Sequence, residues 1–238
     1  MSSDAEPGAS AGQPGDADVT LRIAPGSLLL SAPALLDPNF MHTVVLVVQH
    51  DDDGAFGLVV NRPTEATLGE LLPEHPELGG AAAKVHGGGP VGLDALQVLH
   101  RAPDALRGGV AIGGGLFLGA DLEDIAQFLA GVDGAGVAAG QASQGSEAGE
   151  GSQAGQGNQA SQAGPAAAER LRFIVGYSGW GPGQLDEELR AGSWVPRALD
   201  LELVFADDTP EAVWRRALRG LGESGVGLAS QPPDPTWN

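Results

Sequence analysis

Between Leu171 and Trp194 the chain reads Leu-Arg-Phe-Ile-Val-Gly-Tyr-Ser-Gly-Trp-Gly-Pro-Gly-Gln-Leu-Asp-Glu-Glu-Leu-Arg-Ala-Gly-Ser-Trp, and few folds accommodate such a stretch. Its opening, Leu171 to Val175, is an apolar run that predicts a buried strand. Gly179, Gly181 and Gly183 then crowd around Trp180 and Pro182. Glycine admits positive φ and close backbone approach. A large aromatic and a rigid ring among such glycines predict a fixed turn rather than a floppy loop. A short acidic helix should follow. The stretch reads as a shaped corner, either a site or a piece of architecture.

The rest of the chain supplies elements for that corner to join. Gly26 to Pro33 predicts a short apolar strand that ends at the proline, and Asp37-Pro38-Asn39-Phe40 a turn with Asp37 as its cap. Thr43 to Gln49 is continuous and β-branched, the pattern of a strand buried on both faces. His50 to Gly54 makes a polar turn into Ala55–Val60, an antiparallel neighbour that Pro63 stops. Thr67 and Glu70 have capping-box spacing. Lys84–His86, Leu96–His100 and Leu116–Leu118 predict strands, and Leu122, Ile125, Ala126 and Leu129 a helix stopped by Gly131. Ala198 to Phe205 alternates as a half-exposed strand, and Thr209-Pro210 opens a helix that runs to Gly220.

Two segments stand apart. Residues 1–25 hold little to bury, and residues 131–169 are mostly Gly, Ala, Gln and Ser. Neither buries enough apolar surface to offset the entropy of ordering it. The expected organisation is a tail at 1–25, one domain at 26–222 interrupted by a disordered insertion at 131–169, and a frayed tail at 223–238. Residues 1–18 and 131–169 hold eight of the 31 acids and no Lys or Arg. That leaves 23 acids against 12 bases, or −11 of the total −19. Such acidity argues against direct nucleic-acid binding, whose sequence-independent affinity comes from Lys and Arg. The absence of Cys removes disulfides and thiol catalysis. No apolar run approaches the ~20 residues of a membrane span, and the start lacks a signal-peptide pattern. The expectation is a cytoplasmic protein without membrane contact.

Several motifs in order resemble the AlgH/YqgE family of bacterial proteins. They are Asp37-Pro38-Asn39-Phe40, Thr43-Val44-Val45, Gly54-Ala55-Phe56-Gly57, Asn61-Arg62-Pro63, Gly88-Gly89-Pro90-Val91, Leu99-His100 and Gly176–Trp194. The resemblance covers about residues 26–130 and 170–222 and is broken by the long insertion. It implies an α+β single domain, with a mixed, bent, partly barrel-like β-sheet and flanking helices. It implies no established activity; transcriptional regulation attaches to the family by name only.

No complete catalytic constellation stands in the sequence, and no catalytic, metal or cofactor residue is assigned. Gly176-Tyr177-Ser178-Gly179-Trp180 lacks the last glycine of a nucleophile elbow. The helix start at Pro182-Gly183 could hold an anion, yet Asp186–Glu188 already supply negative charge there. His50 with Asp51–Asp53 reads as a solvated hairpin tip before it reads as a metal site. Asn61, Arg62, Gly88, Gly89, Pro90, His100, Trp180 and Gln184 are the candidates for one binding cleft. Arg62 would present a bidentate guanidinium there or tie down a strand end. The leading expectation is a non-enzymatic binding or regulatory protein with a protein or small-molecule partner. The rival is a hydrolase or transferase that pairs Arg62 with His50 or His100 as general base.

Overall fold

The computed structural model describes residues 23–75, 78, 83–134 and 169–230. The tail expected at 1–25 falls outside them through residue 22, and the insertion at 131–169 falls outside them over 135–168. Ten strands form one open sheet: β1 Leu28–Ser31, β2 Val44–Asp51, β3 Gly54–Val59, β4 Pro63–Thr67, β5 Lys84–Gly87, β6 Val91–His100, β7 Val110–Gly113, β8 Leu116–Leu118, β9 Leu171–Trp180 and β10 Trp194–Arg197. The path runs β10-β1-β2-β3-β9-β6-β8-β7, with β5 on β9 and β4 on β5. The pairs are antiparallel except β5–β9. The helices are α1 Leu68–Leu71, α2 Leu122–Gly134, α3 Gln184–Arg190, α4 Leu201–Val204, α5 Pro210–Arg219 and α6 Glu223–Ala229. The partly barrel-like curvature resolves as a sheet that stays open. Ile112 of the β7 edge nevertheless packs in the same apolar cluster as Leu28 and Leu30 of β1.

β9 organises this sheet. At Phe173–Val175 it pairs with β5 on one edge and β6 on the other; past Gly176 it pairs with β3. The connection from β5 to β6 must therefore cross over β9. It does so at Gly88-Gly89-Pro90, where Gly88 N donates to Val175 O at 2.8 Å and Val59 N donates to Gly88 O at 2.9 Å. A Cβ on Gly88 would run into the carbonyl oxygen of Gly176, and one on Gly89 into the carbonyl of Tyr177. Gly89 also takes a φ of +149° and Gly176 a φ of +75°, conformations that suit glycine.

Apolar burial on both faces fixes the layers. Leu28, Leu30, Val44 and Leu46 face a cluster with Trp214 and Leu218 of α5, while Leu29, Val45 and Val47 face Trp180, Leu185 and Trp194. A third cluster joins Ile125 and Leu129 of α2 to Val85 and Phe173. Trp214 is 1% exposed and its indole N–H donates to Ser31 O at 2.8 Å, so its large apolar area is buried with the polar atom satisfied.

Three expectations change. Gly176 to Trp180 is the end of a long strand, and only Gly181–Gly183 turn. The strand wins because Phe56 and Gly57 of β3 supply ladder partners for Gly179 and Ser178. Ala198–Phe205 does not form a strand: Asp200 accepts from Glu202 N at 3.1 Å, and Leu201–Val204 coil into α4. An N-cap at Asp200 outweighs the alternation. Residues 223–229 form α6 instead of fraying, with Ala229 buried and its carbonyl accepting from Arg215 Nη1 at 2.6 Å.

The crossing yields a sharp contrast. Gly88→Ala should lose about 3 kcal/mol or more in chemical denaturation, because backbone must move. Gly87→Ala, whose Cβ would meet Thr64 and Arg62 atoms at 3.9 and 4.0 Å, should stay within about 0.5 kcal/mol of wild type. Equal effects would refute the crossing.

Candidate functional site

Asn61-Arg62 lies in the link between β3 and β4, and several segments meet there. Asn61 is 1% exposed. Its Oδ1 accepts from Val44 N at 2.9 Å, and its Nδ2 donates to His42 O at 2.9 Å and Pro210 O at 2.8 Å. The amide is used as a clamp between β2, the loop before it and the start of α5. Arg62 extends the clamp: Nη1 donates to Asn39 O at 2.7 Å, and its own carbonyl accepts from Gly87 N at 2.8 Å. Partial burial holds the Arg62 guanidinium below its usual basicity, and Asp37 pulls it the other way.

The loop 37–42 is thereby fixed at both ends. Asp37 Oδ1 accepts from Asn39 N at 2.7 Å, and Thr43 Oγ1 donates to Phe40 O at 2.7 Å. Phe40 lies 6.3 Å from the Trp180 ring and 5.4 Å edge-on from Trp194. Glu188 Oε2 accepts from both indoles, at 2.9 Å and 2.7 Å. His42 holds a φ of +55°, rare for a side chain of its kind, and its ring sits 4.4 Å from Trp214. Met41 remains 38% exposed.

The predicted cleft residues divide. Asn61, Arg62, Gly88 and Gly89 adjoin, with Pro90 exposed beside them. Trp180 reaches that neighbourhood through Phe40. Gln184 does not share it: its Oε1 accepts from Gly181 N at 3.1 Å and its Nε2 donates to Glu188 at 2.9 Å, closing the turn into α3. His100 stands apart as well. From β6 it pairs with Leu171 of β9, while Gly87 beside Arg62 pairs with Val175 on the other flank of β9, about 16 Å away on ordinary strand dimensions. His100 is fully buried, with Nε2 3.1 Å from Gly119 O and Nδ1 accepting from Ala102 N at 3.3 Å. Burial keeps it below the usual histidine range.

Other sequence candidates find ordinary partners. Ser178 is wholly buried within β9, and its hydroxyl donates to Gly88 O at 3.1 Å. His50 Nε2 lies 3.5 Å from Asp186 Oδ1, while Asp51 accepts from Gln49 and from Asp53 N. No group of three or more His, Asp or Glu suited to a metal occurs among the described residues. Sequence reading missed the loop 37–42 as the joint of the site. It also passed over Arg172, and it takes His86 for a satisfied histidine at a strand end. Arg172 is 4% exposed and donates to Val60 O and, at 2.7 Å, to Ala206 O. His86 is 5% exposed, and its Nδ1 is buried without a hydrogen-bond partner. An arginine inside the run Leu171–Val175 was the available signal.

Comparison with known proteins agrees with this architecture. Residues 28–148 and 152–225 match the family described as AlgH-like. A UPF0301 protein of Chlorobaculum tepidum is 32% identical over 216 residues, covering 91% of this chain and 96% of that one. One from Streptomyces coelicolor is 34% identical over 222 residues, covering 90% and 94%. The solution structure of the AlgH protein from Pseudomonas aeruginosa superposes with a TM-score of 0.54 at 27% identity, over 87% of this chain and 93% of that chain. A crystal structure from Corynebacterium diphtheriae gives 0.60 at 17% identity, over 88% and 93%, a likeness of fold alone.

Two measurements test the site's construction. Asn61→Ala strands one buried donor and two acceptors and should cost about 3 kcal/mol in denaturant midpoints; a loss under about 1 kcal/mol would mean the clamp is dispensable. Burial first, then Arg172, pushes His86 down to about 3. The unfolded chain takes up this proton below about pH 6.5 while the fold refuses it. Stability should therefore fall as pH drops from about 6 to 4.5, with a slope of up to about 1.4 kcal/mol per pH unit from this group. His86→Gln should flatten that slope; an unchanged slope would show that His86 is accessible to protons in the fold.

Proposed function

The chain belongs to the AlgH-like family, and from that premise we propose that it is a non-enzymatic binding protein that engages a protein partner through the exposed loop 37–42. One observation carries this reading: a surface loop is held from behind by Asn61, Arg62 and the Phe40–Trp180–Trp194 contacts while Met41 stays exposed. A loop ordered before the partner arrives loses less entropy on binding, and rigidly mounted loops are where binding residues concentrate. Arg62 acts as the brace, with the Gly88–Pro90 corner at its flank. The partner is not nucleic acid, because a net charge of −19 repels phosphate backbones. We place the protein in the cytoplasm as a regulatory binder; among the described residues no helix is long and apolar enough to cross a membrane.

The rival hydrolase or transferase needs Arg62 in one cleft with His50 or His100; His100 lies across β9, and His50 sits by the β2–β3 turn beside Ile23 O and Asp186, so both placements speak against it.

Affinity capture from extracts of the source organism tests the proposal. Met41→Asp alters only the exposed tip and Arg62→Ala releases the brace. Both should reduce recovery of the wild-type partner at least about tenfold, as a loss of a central contact does, with Met41→Asp keeping the wild-type melting temperature. Identical partner sets for all three proteins would sink the loop as the contact surface.

A further inference from the structure

Where β5 passes the connection between α4 and α5, basic groups gather in a chain that is otherwise strongly acidic. Arg172 is buried, and its hydrogen bonds go to the carbonyls of Val60 and Ala206. Among the described residues no carboxylate lies within ion-pair distance of it. A buried cation without a counter-ion is costly. His86 pairs with Ile174, two residues along β9 from Arg172, so its side chain stands on the same face of the β5–β9 pair, buried, with Nδ1 sealed from solvent and unpartnered. Lys84, one step along the same face of β5, reaches outward to Asp207 at 2.9 Å and 3.1 Å. Asp207 is the carboxylate whose field acts on both His86 and Arg172. Its hydrogen bonds go to Lys84, so it falls short of both buried groups. It is about half exposed, with 54% of its side chain accessible, on the short loop between α4 and α5, and so is free to swing aside.

We propose that Lys84, His86 and Arg172 form an anion site for which Asp207 is the tethered stand-in, and that its ligand is hydrogen phosphate. The chemistry selects this ion. Lys84 and Arg172 donate to phosphate oxygens. His86 turns an N–H toward the Phe173 backbone, which leaves the unpartnered Nδ1 as an acceptor in need of a donor, and hydrogen phosphate carries an O–H. Sulfate has none, and a phosphate monoester at about pH 8 has lost its last acidic proton. Burial and Arg172 keep His86 neutral, which preserves its acceptor lone pair. The net charge of −19 opposes the approach of any anion. The site is therefore suited to a free ion held locally, and it is separate from the partner-binding loop proposed above.

The experiment titrates inorganic phosphate into the full chain at about pH 8 and constant ionic strength, with calorimetry and amide chemical shifts as readouts. Phosphate should bind saturably and shift Lys84–Gly87 and Ala206–Asp208 amides. Sulfate and methyl phosphate should bind at least about tenfold more weakly, the cost of leaving one buried polar group unpaired. Lys84→Gln should weaken phosphate about threefold to tenfold. Asp207→Asn, which removes the competing carboxylate, should tighten it by a similar factor. Both positions are about half exposed, so neither variant threatens the fold. Equal binding of phosphate and sulfate, no saturable binding, or indifference to both variants would overturn the assignment.

Discussion

The carbonyl oxygens of Gly176 and Tyr177 lie where side chains of residues 88 and 89 would have to go, and that backbone contact sets the path of the strands around it. With β9 between β5 and β6, the segment that joins those two strands has only the space above a strand in which to cross. Any side chain there would lift the crossing and break the bonds from Gly88 to Val175 and Val59. The positive φ values of Gly89 and Gly176 belong to the same event, one at the crossing and one at the bend beneath it. Because β9 bonds three strands at once, the sheet cannot close before residues 171–180 arrive. These pairings are distant in sequence, which makes the fold one of high contact order and slow closure.

The site inherits its rigidity from that sheet. Val60-Asn61-Arg62 stands next to the crossing, since Val59 bonds Gly88 and Arg62 bonds Gly87. The polar groups placed there are satisfied by backbone from elsewhere in the chain: Asn61 by Val44, His42 and Pro210, Arg172 by Val60 and Ala206. In a low-dielectric interior each such bond is worth more, and each missing one costs more, than at the surface. That is how an exposed loop, 37–42, is held as firmly as a strand. The aromatic trio works to the same end, with Glu188 taking both indole protons so that Trp180 and Trp194 bury without a polar penalty.

Local signals made much of this legible. The β2–β3 hairpin, the Thr67–Glu70 capping box and the Thr209-Pro210 helix start stand where turn and cap chemistry puts them. What local chemistry could not reveal is pairing between distant segments. Gly176–Trp180 looks like a turn until β3 is present to bond it, and Gly88-Gly89 looks like a loop until β9 passes beneath. His100 was grouped with Arg62 because each follows an apolar strand; the sequence carries no record that the two strands flank β9 on opposite sides. At Leu199 to Phe205 the alternation of leucines was real but lost to Asp200, whose carboxylate caps a helix turn.

Charge placement separates two kinds of cation. Arg216 and Lys84 pair with carboxylates at the surface, where solvent screening leaves little net stabilisation. Arg62 and Arg172 instead spend their donors on carbonyl oxygens of the loop 37–42, Val60 and Ala206. A carbonyl carries no charge to neutralise them, so both guanidinia keep most of their field while their geometry is fixed, and burial lowers the basicity of each. In a chain with 31 acids and 12 bases, such positive charge, hydrogen-bonded to no carboxylate, between β3 and β4 and at the start of β9 is where an incoming negative group meets least opposition. The bonds that hold the fold together at this point thus also shape its local electrostatic potential.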